Sequence, residues 1–466
     1  MTIDYDVVII GGSLAAYQAA LTATQLRATV ALVESESNYD FNYHLALEEI
    51  GKMVGRSGNV KSNLDEVILY ARTIADNVAQ INSLSNLAAQ GVDVIVGGGE
   101  FLPSRQLAFG VNGRLLRSRT YLLACGSRPA IPKIDGIEST GYFTLSNIGE
   151  ILVKTNLPEN WVILGGVPQS VEISQLLRRL GCYVTLIVQQ SNVFRYLDRE
   201  IGELLLGQLE ADGVRVVTQR PVTQTRCIEG KKWIQVGDKA IETDEILVAT
   251  GHQPNIELLN LAAAGVKWQR GHLVVNDKLQ TTNERIYACG DVIGGYDILS
   301  IGNYEANIAV KNALFFSRLL VNYRCIPWGI NSQPMVAQVG LTEIQARGRY
   351  GKNKVLVLRK YFKTSIAAQV QGEITGICKL IVLENGEILG ASILGQEAQE
   401  LINLVALIMS KNIKVESLGD LAVMYPSFSD ILVQTAREWG KQRLNRNHFL
   451  QDFLEGFFDF RRDWNL

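Results

Sequence analysis

Two short runs in this chain have the residue types and spacing to hold a phosphate-bearing ligand. The first is Gly11-Gly12-Ser13-Leu14-Ala15-Ala16, and a carboxylate, Glu34, follows 23 residues after Gly11. Glycines in such a turn let backbone N–H groups come close to a pyrophosphate, and an acid about 20 residues on accepts hydrogen bonds from a ribose. Only the first glycine of the G-x-G-x-x-G pattern is kept; Ser13 stands second and Ala16, a tolerated replacement, third. The second run is Gly165-Gly166-Val167-Pro168-Gln169-Ser170. Here Val167 and Ser170 replace the second and third glycines, and the count that reaches Glu34 in the first run reaches Val188. The branched Val167 is expected to intrude where backbone nears a pyrophosphate, and no carboxylate is placed to select a ribose.

Thiol chemistry is the other obvious possibility. The six cysteines, Cys125, Cys182, Cys227, Cys289, Cys325 and Cys378, are all far apart in sequence. That spacing excludes a local C-x-x-C redox pair and a sequence-local zinc site.

Both glycine runs need a strand to deliver them and a helix to follow. Residues 5–10 (YDVVII) form a β-branched run into Gly11-Gly12; an Ala-rich helix is expected over 14–28 and a strand over 29–34. The same order recurs over 161–188, so two βαβ units about 150 residues apart predict two doubly wound domains. Three phrases, TYLLACGSRP (120–129), EILVATGHQPN (245–255) and ERIYACGDV (284–292), read as buried strands ending in small residues. They bring Cys125, Gly126, Ser127, Gly251, Gly290 and Asp291 to strand ends, where backbone can meet a ligand. From about 327 the texture becomes antiparallel, with an Asn385-Gly386 turn and helices expected over 396–411 and 428–440, an α+β region. In the tail, HFLQDFLEGFFDF, apolar positions 449, 450, 453, 454, 457 and 458 share one helical face.

Length and composition bound the class. The 466 residues are 47% hydrophobic and 20% charged with a net charge of -2, enough apolar surface for about three domains and too few clustered cations for nucleic acid. A strand-like run begins almost at once, without the basic and apolar regions of a secretory signal, which predicts a cytoplasmic protein. No apolar run approaches the roughly 20 residues that span a bilayer.

The succession CGSRPAIPKIDG, ATGHQPN, IYACGDV, VGLTE (339–343) and the pattern over 376–403 resembles the flavoprotein pyridine nucleotide-disulfide oxidoreductases, in the branch of mercuric reductase, dihydrolipoamide dehydrogenase and glutathione reductase. The resemblance covers the chain to about 440. It implies an α/β fold of two Rossmann-like nucleotide-binding domains plus a C-terminal α+β dimerisation domain. The implied boundaries are FAD domain 1–150 and 271–326, NAD(P)-like domain 151–270, dimerisation domain 327–440 and tail 441–466. It implies FAD on the first fingerprint, with Gly11, Gly12, Ser13, Ala15 and Ala16 at the turn, Glu34 on the adenosine ribose, and Cys125, Gly126, Ser127, Gly290 and Asp291 near the flavin. A weaker NAD(P)-like site is implied at Gly165, Gly166 and Gly251.

The chain departs from that family at three places. Disulfide-reducing members carry a Cys-x4-Cys pair after the ribose acid, whereas residues 35–53 here read SESNYDFNYHLALEEIGKM, without cysteine. Dithiol exchange needs both an attacking and a leaving thiolate, so that relay is lost. The His-Pro that such members supply across the dimer, with an acid to orient the imidazole, is replaced by Tyr425-Pro426 with Asp430 beyond. A phenol is a poor base at neutral pH but a competent hydrogen-bond donor. Where NADPH-using members place arginines stand Gln189 and Gln190, with Arg195 as the one later cation. Remaining catalytic candidates are Glu172, in the place of an acid that pairs with a lysine beneath the flavin; Lys52, a candidate for that lysine; and His44.

The expectation is therefore an FAD-dependent oxidoreductase without a disulfide relay, passing electrons from NAD(P)H to a quinone or small electron carrier. The alternative is a non-catalytic FAD scaffold or redox sensor. The expected partners are a second copy and a small-molecule or protein electron carrier. The 449–464 face is set aside for packing on the dimer, a protein partner or a membrane surface.

Overall fold

The computed structural model describes residues 3–34, 64–81, 83–103, 106–152, 157–189, 194, 196–295, 298–446 and 448–464. The chain divides into two compact units: Met1–Ser191 with Asp212–Asn322, and Asn192–Ala211 with Tyr323–Leu466.

In the first unit, strand β1 (Tyr5–Ile10), helix α1 (Leu14–Gln25) and strand β2 (Val30–Glu34) form the first βαβ unit. Val7 to Ile10 are buried, as a strand covered on both faces requires. Ala15, Ala16, Ala19, Ala20 and Ala23 line the buried side of α1, and their methyl groups let the helix lie close to the sheet and to helix Leu299–Leu314. Helix α1 ends before residue 28, because Arg27 turns into the left-handed region at φ 63°. The sheet is parallel, in the order Ile286–Ala288, Ser118–Leu123, β1, β2, Asp93–Val96.

The second βαβ unit is β3 (Asn160–Leu164), α2 (Pro168–Arg179) and β4 (Tyr183–Val188). Its parallel sheet runs Arg215–Thr218, β4, β3, Glu245–Val248, Phe143–Thr144. Two antiparallel three-stranded sheets, over 99–116 and 222–243, are additions the sequence reading did not separate. The first is built from three-residue strands, too short to display a period.

The second unit holds a five-stranded antiparallel sheet in the order Trp328–Ile330, Val336–Gly340, Ile388–Leu394, Ile377–Leu383, Val355–Tyr361. The Asn385-Gly386 turn joins its central hairpin, with Gly386 at φ 81°. Helix Ala398–Ser410 and helix α3 (Asp430–Arg446) pack on it through Val405, Ile431, Leu432 and Trp439. Helix α4 (His448–Asp463) follows α3.

Segment Asn192–Ala211 is held in this second unit by a charge cluster. The Lys379 side chain is only 2% exposed, and its Nζ lies 2.7 Å from Asp198, 2.7 Å from Glu343 and 3.1 Å from Glu200. Arg359 reaches Glu200 at 2.9 Å and Glu343 at 3.0 Å. The Asp198 amide also donates to Gln338 Oε1 at 2.8 Å. Among the described residues, no helix is long and apolar enough to cross a membrane.

Candidate dinucleotide site

Gly11 sits at φ 129°, and a Cβ there would lie 2.2 Å from the Ala124 carbonyl oxygen. Only glycine lets β1 turn this close to the neighbouring strand. A Cβ on Gly12 would instead meet the Glu34 carboxylate at 2.6 Å. Ser13, standing where the pattern has a glycine, caps α1: its Oγ accepts from the Ala16 N–H at 3.2 Å and donates to the Ala124 carbonyl at 2.7 Å. The substitution thus ties the helix start to the strand end, at the cost of occupying one N–H that a ligand would otherwise meet.

Small residues from two of the phrases and from helix Leu299–Leu314 converge on this turn. A Cβ on Gly126 would be 3.4 Å from the Ser13 Cβ, and one on Gly290 or Gly302 would be 3.6 Å from the Ala15 Cβ. Ala16 is fully buried against the sheet. Glu34 is half-buried and accepts hydrogen bonds from the Tyr17 hydroxyl at 3.0 and 2.9 Å on its two oxygens. Burial raises the Glu34 carboxyl above the ordinary range, with the Tyr17 bond working the other way. The Tyr17 phenol is itself raised, by burial first and then by the Glu34 charge. Sequence reasoning missed Tyr17; its one signal is its place on α1 a turn beyond Ser13.

Asp291 accepts from Ser127 Oγ at 2.6 Å, which joins two of the predicted phrases side chain to side chain. The Gly290 N–H donates to buried Glu305 at 2.7 Å, a second contact the motifs did not disclose. Cys125 donates from Sγ to the Ile10 carbonyl at 3.1 Å. Burial pushes the Cys125 thiol up to about 12 and the buried Cys289 thiol well up. Both stay protonated, and all six cysteines are free thiols. The phrase over 245–255 buttresses the one over 120–129: His252–Pro254 pairs antiparallel with Ser127–Pro129, and the Asn255 N–H donates to the Gly126 carbonyl at 3.1 Å.

This donor set fits FAD. The glycine cradle leaves room for a pyrophosphate at the α1 N-terminus, Glu34 keeps lone pairs for ribose hydroxyls, and the Ser127–Asp291 pair stands at the strand ends beside them.

The second turn is tight for reasons of its own. Gly165 has φ 141°, and a Cβ would lie 1.7 Å from the Ala249 carbonyl oxygen. Val167 adopts φ -77° and ψ 158°, nearly the -77° and 160° of Ser13, so valine leaves the backbone path of the turn unchanged. What differs from the first turn is the chemistry presented. Val167 offers no cap, Pro168 has no N–H, and the Ser170 hydroxyl folds back onto the Val167 carbonyl at 2.6 Å. Val188 is buried where the ribose acid would stand. Gly251, at φ 107°, accepts from the Ala130 N–H through its carbonyl. The residues fit a nicotinamide nucleotide in turn shape and not in ribose recognition.

Of the catalytic candidates, Glu172 is partly buried on α2. Tyr425 is 74% exposed, while Asp430, the first residue of α3, accepts from the Gln434 side chain rather than engaging Tyr425. His44, Lys52, Gln190 and Arg195 lie outside the described residues.

Comparison with known proteins gives one picture. Residues 5–312 match the family described as pyridine nucleotide-disulphide oxidoreductase, and residues 326–436 match its dimerisation domain. A mercuric reductase of Staphylococcus aureus is 31% identical, over 94% of this chain and 83% of that protein. A soluble pyridine nucleotide transhydrogenase of Mycobacterium bovis is 28% identical, over 92% of this chain and 95% of that one. Among solved structures, the Cu(II) complex of the HOCl-induced flavoprotein disulfide reductase RclA from Escherichia coli superposes with a TM-score of 0.83 at 25% identity, over 94% of this chain and 99% of that one.

Proposed function

Since the chain belongs to the pyridine nucleotide-disulphide oxidoreductase family, we propose that it is an FAD-dependent oxidoreductase that moves electrons without a disulfide relay, from NADH or NADPH to a quinone or other small electron carrier. Members of this family bind FAD and use NAD(P)H, and the dimerisation domain supports a homodimer. The observation that carries the reading is the position of the thiols. The first cysteine in the chain is Cys125, so the segment after Glu34 that would hold the relay has none. Desolvation raises the Cys125 and Cys289 thiols, which supports the reading that neither replaces it.

FAD, when bound, supplies one- and two-electron chemistry at its isoalloxazine. The chain's residues would do the holding: the α1 N-terminus would meet the pyrophosphate and Glu34 would accept from the ribose, while the Asp291–Ser127 hydrogen bond fixes the strand-end turn. Tyr425, exposed and uncommitted to Asp430, is assigned as a hydrogen-bond donor to a reduced acceptor and not as a base. A transhydrogenase among the relatives names an activity with nucleotides on both sides, which supports direct transfer. The loss of the second ribose acid at Val188 favours one other reading, a scaffold or sensor that keeps FAD without turnover.

Anaerobic addition of NADH or NADPH to the yellow holoprotein, followed by a soluble quinone or by lipoamide, separates these. The expected result is bleaching by one nucleotide, recovery of colour with quinone, and retention of at least about half the turnover when all six cysteines are changed to serine. Recovery with disulfide alone, or its loss in the cysteine-free protein, refutes the relay-free reading. If only dithionite bleaches the flavin, the scaffold reading stands.

A further inference from the structure

Among the described residues, helix α4 carries an exposed aromatic stripe. Phe449, Phe453, Phe457, Phe460 and Trp464 recur every three or four residues, and all are between 45% and 82% exposed. Neighbouring rings meet along the helix: the Phe453 and Phe457 rings stack 6.3 Å apart, and the Phe460 and Trp464 rings meet edge to face at 4.9 Å. Leu450 and Leu454, on the adjoining flank, are partly buried, and Gln451 Nε2 donates to the Leu444 carbonyl of α3 at 2.8 Å. The helix is thus seated on its own unit by one flank and presents the other. Asp452, Glu455 and Asp459 fall on the side opposite the stripe.

We infer that this stripe docks on a second copy of the chain and extends the homodimer interface. Three observations choose that occupant. First, α4 continues directly from α3, the last helix of the region that matches the dimerisation domain, so dimerisation brings a second copy to the same part of the molecule. Second, the composition is that of a protein interface: after Lys441 the chain has no lysine, while aromatics and arginine abound. Third, the electrostatics disfavour an anionic lipid surface. Arg461 and Arg462 face four acids on the helix, Arg462 pairs with Asp459, and on α3 Arg443 pairs with Glu416. A lipid-surface helix is rich in uncommitted cations. Five partly exposed aromatics offer roughly 500 Å² per copy, well above scattered surface apolar groups and a large fraction of a standard interface. This inference rests on homodimer formation and is independent of the electron acceptor.

The test uses full-length holoprotein. Hydrogen exchange is measured across 448–464 above and below the dimer dissociation midpoint, and the dimer dissociation constant is measured by sedimentation for wild type, F453E/F457E and the polar-face control E455Q. The expected result is protection of 448–464 only in the dimer, and a dissociation constant raised at least about tenfold in F453E/F457E with E455Q unchanged. Equal exchange in monomer and dimer, or an unchanged constant in F453E/F457E, overturns the inference. So does tail-dependent flotation with phosphatidylcholine vesicles at an unchanged dimer constant, which would assign the stripe to lipid. Retained flavin absorbance in F453E/F457E shows that the variant is folded.

Discussion

Spacing alone singled out Glu34 as the candidate ribose acid, but its environment was not legible. The structure surrounds it with Tyr17 and half-buries it, and burial raises its carboxyl above the ordinary range. In the ligand-free chain a raised acid pKa means that the folded state holds the proton more tightly than the unfolded one. Stability then falls as pH rises from the unfolded to the raised folded value and is level above it. FAD ribose hydroxyls donate to the ionised form, so FAD affinity is expected to weaken as pH falls through that raised value. Fluorescence titration of the apoprotein with FAD should show this slope, and Glu34→Gln should weaken affinity by about 1–2 kcal/mol and flatten the pH dependence. A slope that persists in Glu34→Gln would assign the proton to another group. Ser13 carries a similar lesson: read as a flaw in the glycine pattern, it proves to be the α1 cap.

At the scale of the element, the two βαβ turns separate structural from ligand-facing glycines. Gly11 and Gly165 each face a backbone carbonyl that cannot move, that of Ala124 and that of Ala249. Gly12 faces the end of the Glu34 side chain, which can. Gly11→Ala is therefore expected to cost about 3–5 kcal/mol of stability, from left-handed strain plus overlap, with or without FAD. Gly12→Ala should leave thermal stability of the apoprotein nearly unchanged and weaken FAD binding, because Glu34 must swing aside. Equal losses of apoprotein stability in the two variants, measured by urea unfolding, would contradict this division. The strands, the two glycine turns and the small-residue phrases were readable because each imposes a local period or punctuation. The 99–116 sheet was not, because its strands are three residues long and owe their pairing to neighbours.

At the scale of the whole chain, the second unit is held by contacts between segments remote in sequence. Asn192–Ala211 joins the second unit although its flanking sequence belongs to the first. The buried Lys379, with Asp198, Glu200 and Glu343 around it, is the polar anchor of that arrangement. Burial works to lower the Lys379 pKa, but the bonds to Asp198 and Glu343 outweigh it and the net shift is upward. For Glu200 burial works upward, and Arg359 and Lys379 outweigh it to bring it down. The lysine's contribution is therefore fully present at neutral pH and lost only as pH rises through its raised value. The Glu200 contribution is lost as pH falls through its lowered one. Lys379→Ala leaves the buried Asp198 carboxylate without its cation, held by the Glu200 and Glu343 N–H groups, and should cost about 3–5 kcal/mol by chemical unfolding, while Lys379→Met combined with Asp198→Asn should recover part of it. A cost below about 1 kcal/mol for Lys379→Ala would mean the cluster is not an anchor.

Sequence alone determined the family resemblance, the order of the strand-end phrases, the acid at Glu34 and the missing cysteine pair, because these are matters of residue identity and spacing along one segment. The tertiary structure alone decided that the Val167 turn follows the backbone path of the Ser13 turn, that Asp430 turns to Gln434 instead of Tyr425, that Asp291 meets Ser127, and that the surroundings of Cys125 and Cys289 raise both thiols. Each of those depends on groups brought together from distant parts of the chain, whose burial and partners are set by packing and leave no trace in local periodicity.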